Sequence, residues 1–422
     1  MSAPKIAIMH YSSAPVVGGV ESVIQEHSRL FTQAGYSVTI FSGKGEKVEK
    51  NVDFQLFPLF SSSSPQILKI KEKLDTGIIP DDFEETKEEI LDYLKQNLTH
   101  YSTIFAHNIC SLHKNLPLTT ALYAFIQQNS LTNLISWDHD LAWANSQYLH
   151  QLKDAYPWDL LKKTWHSTRH KHVTVSDMRK KELEQLLGNG APSILAIPSG
   201  IDWKSILNLD DQVLDIIEKY HLMNAYPVFF LPARITRRKN LELAISIIGA
   251  LRNVYPSAAL VISGPLGPHN PKNHIYFDEL KRLSSKYHLD RIQKDSAAKV
   301  IFLADYSQEY LPMRTIYGLF RFSDALLFPS FQEGFGIPIL EAGMVNIPIF
   351  CSDIPPFHET ADDMAHYFDP HGDPAQIAEK IHQVISNNKT TNHRNKVKQQ
   401  YTWKNIFYQQ IEPLVLSNQK KE

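Results

Sequence analysis

The sequence predicts an α/β protein of two doubly wound, Rossmann-like domains facing across a cleft. Three observations predict it. Short apolar runs of buried-strand type alternate with helical patterns twice over, with a break near residues 205–225. At 422 residues the chain is too long for one ordinary core. Glycine-bearing turns also sit between strand and helix in both halves, at the strand ends where open α/β sheets hold ligands.

Composition narrows the function classes. Hydrophobic residues at 43% and charged residues at 21% are globular values. A net charge of −2 argues against a general nucleic-acid binder and against broad attraction to anionic membranes. The two cysteines, Cys110 and Cys351, are far apart and lack metal-ligand spacing, so they read as reduced thiols in a cytoplasmic protein. Ile6–Met9 is too short for a signal-peptide core, and no apolar run approaches 18 residues. Membrane association is therefore not expected.

In the first half, Lys5–His10 reads as a buried strand, followed by the turn Gly18-Gly19 and a helix from about Val20 to Ala34 that Gly35 closes. Ser37–Ser42 is the second strand. The charged stretch Asp81–Leu98 reads as a helix with a solvated face. Thr103–Ala106 is a strand whose carboxyl end carries His107, a candidate for substrate contact, with a buried hydrogen-bonded role as the alternative. A helix follows over Leu116–Gln128, then a strand over Asn133–Trp137. That strand runs into Asp138-His139-Asp140 and Trp143. Asp140 is the candidate for an acceptor hydroxyl, and Asp138-x-Asp140 also invites a metal reading. Trp143, Tyr148, Tyr156, Trp158 and Trp165 are candidates either for sugar stacking or for packing. Lys162, Lys163, Arg169, His170, Lys171 and His172 form a basic cluster, by default a solvated face. Val173–Ser176 and Ser193–Ile197 complete the strands of this half, with Ser176 or Asp177 capping a helix near Met178.

In the second half an acidic amphipathic helix, Asp210–Tyr220, precedes the strand Val228–Leu231. The cations Arg234, Arg237, Arg238 and Lys239 then stand immediately before a helix of about Asn240–Asn253. That is the wrong end of a helix for positive charge, which points to a bound anion. Further strands read at Ala258–Ile262, Lys299–Leu303, Ala325–Phe328 and Pro348–Cys351, with helices at Arg314–Phe322 and Ala375–Ser386. After Phe328, Pro329-Ser330 end the strand, Gly334 and Gly336 free the turn, and Pro338 suits the first helical turn. Two carboxylates flank the turn, Glu333 and Glu341. A glycosidase pair is disfavoured, because eight helical steps would rise about 12 Å against the roughly 5–9.5 Å such pairs need.

Glu333, seven residues and Glu341, with Pro329-Ser330, Gly334-Phe335-Gly336 and Pro338 around them, resemble the E-x7-E motif of the GT4 family. These are retaining nucleotide-sugar glycosyltransferases of the GT-B fold. Arg234 and Lys239 resemble the family's G-R-x4-K donor-diphosphate motif, with Ala233 in place of the glycine. Gly18-Gly19-x-Glu21 resembles its first phosphate-facing loop, and Pro198-Ser-Gly-Ile-Asp202 resembles the turn that leaves its N-terminal domain.

The resemblance implies an N-terminal acceptor-binding domain over residues 1–205, on which a C-terminal helix at 401–422 packs back. It implies a donor-binding domain over 220–400. Glu341 would hold a ribose. Glu333 and the amides of Phe335, Gly336 and Ile337 would orient the sugar. Gly18, Gly19, Arg234, Lys239 and Gly264 would face the nucleotide diphosphate. His139 would sit at the transferred sugar, with His107, Asp140 and Trp143 toward the acceptor. Glu333, Arg234, Lys239 and His139 would be the catalytic set. The family usually works without a bound metal, so neither metal nor cofactor is expected.

The expected reaction is retaining transfer of glucose or mannose from UDP or GDP to a small soluble acceptor, a sugar, polyol or sugar acid. A lipid-linked or polysaccharide acceptor is the alternative, and a catalytically silent nucleotide-sugar binder is the alternative of another class. A homodimer stays open.

Overall fold

In the computed structural model, residues 4–129, 132–163, 165, 169–188, 194–266, 272–290, 297–307 and 310–416 are described. The chain divides into two compact units, Met1–Ile201 with the segment from Trp403 onward, and Asp202–Thr402.

The first unit holds a seven-stranded sheet: β1 Lys5–His10, β2 Ser37–Ser42, β3 Asp53–Leu56, β4 Thr103–His107, β5 Asn133–Asp138, β6 His170–Thr174 and β7 Ile194–Ala196. Their order is β3-β2-β1-β4-β5-β6-β7, and every pairing is parallel. The order reverses between β1 and β4, so the ends of these strands border the switch point at which such sheets hold ligands. β1, β4 and β5 are nearly wholly buried, as strands covered on both faces must be.

One face is covered by the helix Gly19–Gln33 and by the chain's last turns. Trp403, Ile406, Phe407 and Ile411 pack there with Ile6, Ile8, Phe31 and Phe105. On the other face the helix Asp82–Leu98 buries Phe83, Ile90, Leu91, Leu94 and Leu98. Its charges are therefore only its outer side.

The second unit repeats the plan with six strands: β8 Val228–Leu231, β9 Ala259–Ile262, β10 Lys299–Phe302, β11 Ala325–Phe328, β12 Ile349–Ser352 and β13 His366–Phe368. Their order is β10-β9-β8-β11-β12-β13, again all parallel. Here the order reverses between β8 and β11, whose carboxyl ends carry Arg234 and Glu333. Asp324, just before β11, is fully buried. It accepts the Val228 amide at 2.8 Å and lies 3.6 Å from Lys398 and 4.0 Å from Arg394. That ion group ties the helix Lys389–Gln400 to the two central strands.

Several elements differ from the sequence reading. The strand expected at Val173–Ser176 begins at His170 and ends at Thr174, so His170 and His172 are buried strand residues and not part of a basic surface. Ser176 is the cap of the next helix, accepting the Arg179 amide at 3.2 Å. Helices at Pro65–Asp75, Lys272–Lys286 and Lys389–Gln400 were not anticipated. Ser193, at the start of the last expected strand of the first half, lies outside the described residues. Among the described residues no helix is long and apolar enough to cross a membrane.

Candidate active site

In the second unit, two loops meet at the switch point. β8 ends at Leu231, and Ala233-Arg234 then lies flat against Gly264. A Cβ on Gly264 would fall 2.0 Å from the Ala233 carbonyl oxygen and 2.5 Å from Arg234 Cα. Only a bare backbone permits that approach. The turn Arg237–Lys239 follows, and Asn240 closes it at φ 52°, donating from its side-chain Nδ2 to the Pro370 carbonyl at 2.9 Å. In this way three cations are wound tightly before the apolar helix Leu241–Leu251.

Those cations have different fates. Arg237 pairs with Glu279 at 2.6 Å and Glu242 at 3.7 Å, away from the loop after β11. Lys239 donates to Glu333 Oε1 at 2.5 Å, and Arg238 donates to Glu333 Oε2 at 3.0 Å. Arg238 also donates to the Gln332 carbonyl at 3.0 Å, while its own carbonyl accepts the Phe331 amide at 2.9 Å. Arg238 therefore latches the Phe331–Glu333 loop by backbone and side chain together. The sequence reading counted it only among the cations that point to a bound anion. The signal was its place beside Lys239, but three cations in a row do not reveal which ones turn inward.

The Glu333 and Lys239 side chains are only 10% and 11% exposed. Burial lowers the Lys239 pKa, Glu333 opposes that shift, and Arg238 and Arg234 add to it. Arg234 is exposed, with its guanidinium 5.3 Å from the Tyr310 ring centre and no ion pair among the described residues.

Gly336, at φ 108°, turns the chain into the helix Ile337–Met344, whose second turn carries Glu341. Glu341 is half-buried. Burial raises its pKa, and no group among the described residues pairs with it. A partly desolvated carboxylate with free acceptor oxygens is suited to a diol. Phe335 and Ile337 stand 49% and 59% exposed beside it in sequence.

The first unit gathers a second group, of histidines. His107 ends β4 fully buried, and its Nδ1 lies 3.1 Å from His139 Nε2, one ring donating to the other. His10 donates from Nδ1 to the His107 carbonyl at 2.8 Å. His27, on the helix Gly19–Gln33, faces Trp137 and His107, and neither of its ring nitrogens has a partner among the described residues. Burial is the main cause that pushes these imidazoles down: His27 to about 3, His139 to about 4, and His107 well below its ordinary value. All are neutral at pH 7. Sequence reading assigned His10 and His27 no functional part.

Asn108, at φ 59°, accepts the backbone amides of His139 at 2.8 Å and Asp140 at 3.3 Å. It fixes the turn after β5. The two aspartates of that turn then diverge. Asp138 accepts from Ser136 at 2.7 Å and from His172 Nδ1 at 2.9 Å, deep in the sheet. Asp140 is held by Arg179 at 3.1 Å and Asn145 at 3.2 Å.

Trp143 donates to the Trp158 carbonyl at 3.2 Å and carries Lys162 on its ring at 4.1 Å, so it is largely a packing residue. Trp158 and Trp165 are buried. Gly18 is roofed by the Glu21 carboxylate, which a Cβ would meet at 2.1 Å; Gly19 is open.

Residues 214–401 match the family Glycosyl transferases group 1. The chain carries a glycosyl transferase group 1 domain. The matched stretch holds Arg234, Lys239, Gly264, Glu333 and Glu341. The chain as a whole is similar to mannosylglucosylglycerate synthase of Thermotoga maritima, at 23% identity over 83% of either chain. It is also similar to the enzyme of the same name from Petrotoga mobilis, at 24% over 60% of this chain and 59% of that one. Among solved structures, sucrose-phosphate synthase of Thermosynechococcus elongatus aligns over 99% of both chains at 16% identity and a TM-score of 0.37.

Proposed function

We propose that this transferase moves a hexose, mannose before glucose, from a nucleotide diphosphate sugar to a hydroxyl of a small soluble acceptor. Retention at the anomeric carbon is part of the reading, and a sugar acid of the glycerate kind is the leading acceptor. The observation that carries it is the junction of β8 and β11. Among the described residues, an Arg234 without an ion pair, a largely buried Lys239 and a partnerless, half-buried Glu341 stand there on two adjoining strand–helix turns. The names of both relatives that span most of this chain support mannose and a glycerate glycoside.

In this reading Glu341 accepts from the ribose hydroxyls, the interaction its desolvated carboxylate lacks in the free protein. Arg234 and Lys239 stabilise charge developing on the leaving diphosphate without a metal. Such preorganised contacts are worth roughly 10²–10³ in rate each. Lys239 would turn from Glu333 toward the diphosphate, and Arg238 would keep Glu333 in place. A carboxylate that stays ion-paired to Arg238 is a weakened nucleophile. That supports a front-face route in which the leaving phosphate takes the acceptor's proton, with Glu333 and the amides of Phe335, Gly336 and Ile337 orienting the sugar. In the first unit, His139, held neutral by burial, and His107 would serve at the transferred sugar and acceptor. Gly18 and Gly19 would lie toward the diphosphate. Asp140 would reach an acceptor hydroxyl only by sharing its contacts with Arg179 and Asn145.

A thermal-shift panel of UDP, GDP, ADP and their glucose and mannose conjugates tests this, followed by product analysis with glycerate-type acceptors. A selective shift of one nucleotide is expected; a ligand at 100 times its Kd adds about 2.7 kcal/mol. No shift with any nucleotide, and no transfer, would refute the reading.

A further inference from the structure

Outside the residues assigned so far, the first unit holds a half-buried cation, Lys114, that makes no ion pair among the described residues. Lys114 lies in the turn His113–Asn115, which follows β4 and borders the Asp138–Ala142 segment, where Ala142 donates to the Ser111 carbonyl at 2.9 Å. It is half-buried, with its ammonium 4.4 Å from the centre of the Tyr148 ring.

Two acids act on it through space, and both are engaged elsewhere. Asp75 is paired with Lys71 at 2.5 Å, and Asp140 is held by Arg179 and Asn145. Among the described residues Lys114 makes no ion pair. Lys71, on the helix Pro65–Asp75, lowers the Lys114 pKa, and Asp75, paired with Lys71, opposes that shift. His113, packed on Tyr148 and donating to Gln151 at 2.6 Å, also feels both lysines, which help hold it neutral. Burial and Lys71 together depress the Lys114 pKa. A half-desolvated ammonium that makes no ion pair among the described residues is unfavourable in the free protein, and an anion would relieve it. The π face of Tyr148 offsets only part of the cost.

We infer that Lys114 is an anion-binding position that takes the carboxylate of an acidic acceptor. The inference rests on the transferase reading above and narrows its acceptor class to molecules carrying a carboxylate near the hydroxyl that receives the sugar. Lys114 selects and anchors the acceptor and takes no part in bond making.

The test compares two acceptor twins, glucosylglycerate and its uncharged amide, with the donor that the nucleotide panel selects. Wild type should favour the acid. Lys114→Met, which keeps chain length and removes charge, should raise the acceptor KM for the acid about 10- to 100-fold, the scale of one charged hydrogen bond. It should leave the amide's KM and the donor KM unchanged, and Lys114→Arg should restore most of the loss. A wild type without preference for the acid overturns the inference, as does a Lys114→Met variant that weakens both twins equally. Donor hydrolysis without acceptor separates the two levels. Hydrolysis with no preference for the acid strikes Lys114 alone, whereas no turnover of any nucleotide sugar strikes the transferase reading and this inference with it.

Discussion

His27 should make the protein acid-labile, and replacing it with phenylalanine should remove that share of the lability. The imidazole is buried between Phe105, Trp137, His107 and Trp403, with neither nitrogen partnered among the described residues. Burial lowers its pKa from 6.5 to about 3. Between these values the unfolded chain binds a proton that the folded one refuses, so stability falls as pH drops through 6.5 and the loss is complete only below about pH 3. One such group costs about 2 kcal/mol between pH 7 and pH 5, and about 5 kcal/mol in full. Urea unfolding followed by tryptophan fluorescence at both pH values measures this. His27→Phe should lose about 2 kcal/mol less than wild type on acidification, with little penalty at pH 7, where the orphaned ring makes no hydrogen bond. Equal losses for the two proteins between pH 7 and pH 5 would refute the argument. His139 and His113, each at about 4, add losses of the same sign, so wild type should fall by more than the His27 share alone.

Other perturbations separate site from scaffold. Gly264→Ala should push Ala233-Arg234 off the neighbouring loop and cost about 1–3 kcal/mol of stability, with nucleotide affinity down at least about tenfold by calorimetry. Arg234→Ala should leave the melting temperature unchanged, since the side chain makes no ion pair among the described residues, yet lower turnover by roughly 10²–10³; normal turnover would sink the diphosphate assignment. Arg238→Ala should spare binding of the bare nucleoside diphosphate and lower kcat, because it removes a latch on Glu333 and no proposed ligand contact; unchanged kcat would make the latch ornamental. Asp324→Ala should cost about 3–5 kcal/mol in urea unfolding, because it strands buried Lys398 and Arg394 without their acid.

What the sequence made legible follows from burial. Val228–Leu231 and Ala325–Phe328 appear with the bounds read from their letters, since a strand covered on both faces is a continuous apolar run. β3 and β13 lie at sheet edges and carry exposed residues, so no such run marks them. The helix Lys389–Gln400 buries only Thr391 and Lys398, which leaves no apolar stripe to read. β6 was misplaced for a related reason. His170 and His172 look like surface cations in a string of basic letters, and only their period of two hints at a strand face.

The same logic divides the candidate site. Glycines, prolines and glutamates in the loop after β11 are positions where backbone geometry dictates the residue, so Gly336 and Glu341 could be placed by reading alone. Which cation holds Glu333 depends on the rotation of one short turn, fixed by Asn240 at φ 52° and its bond to Pro370, 130 residues away. The histidine centre goes further beyond the letters. His10, His27, His107 and His139 come from three strand ends and a helix, and their neutral state is a property of the sheet that buries them, not of any segment that encodes them. A residue whose protonation is set by tertiary desolvation leaves no local signature. The acid-stability difference at His27 therefore probes the part of this chain that sequence reasoning could not reach.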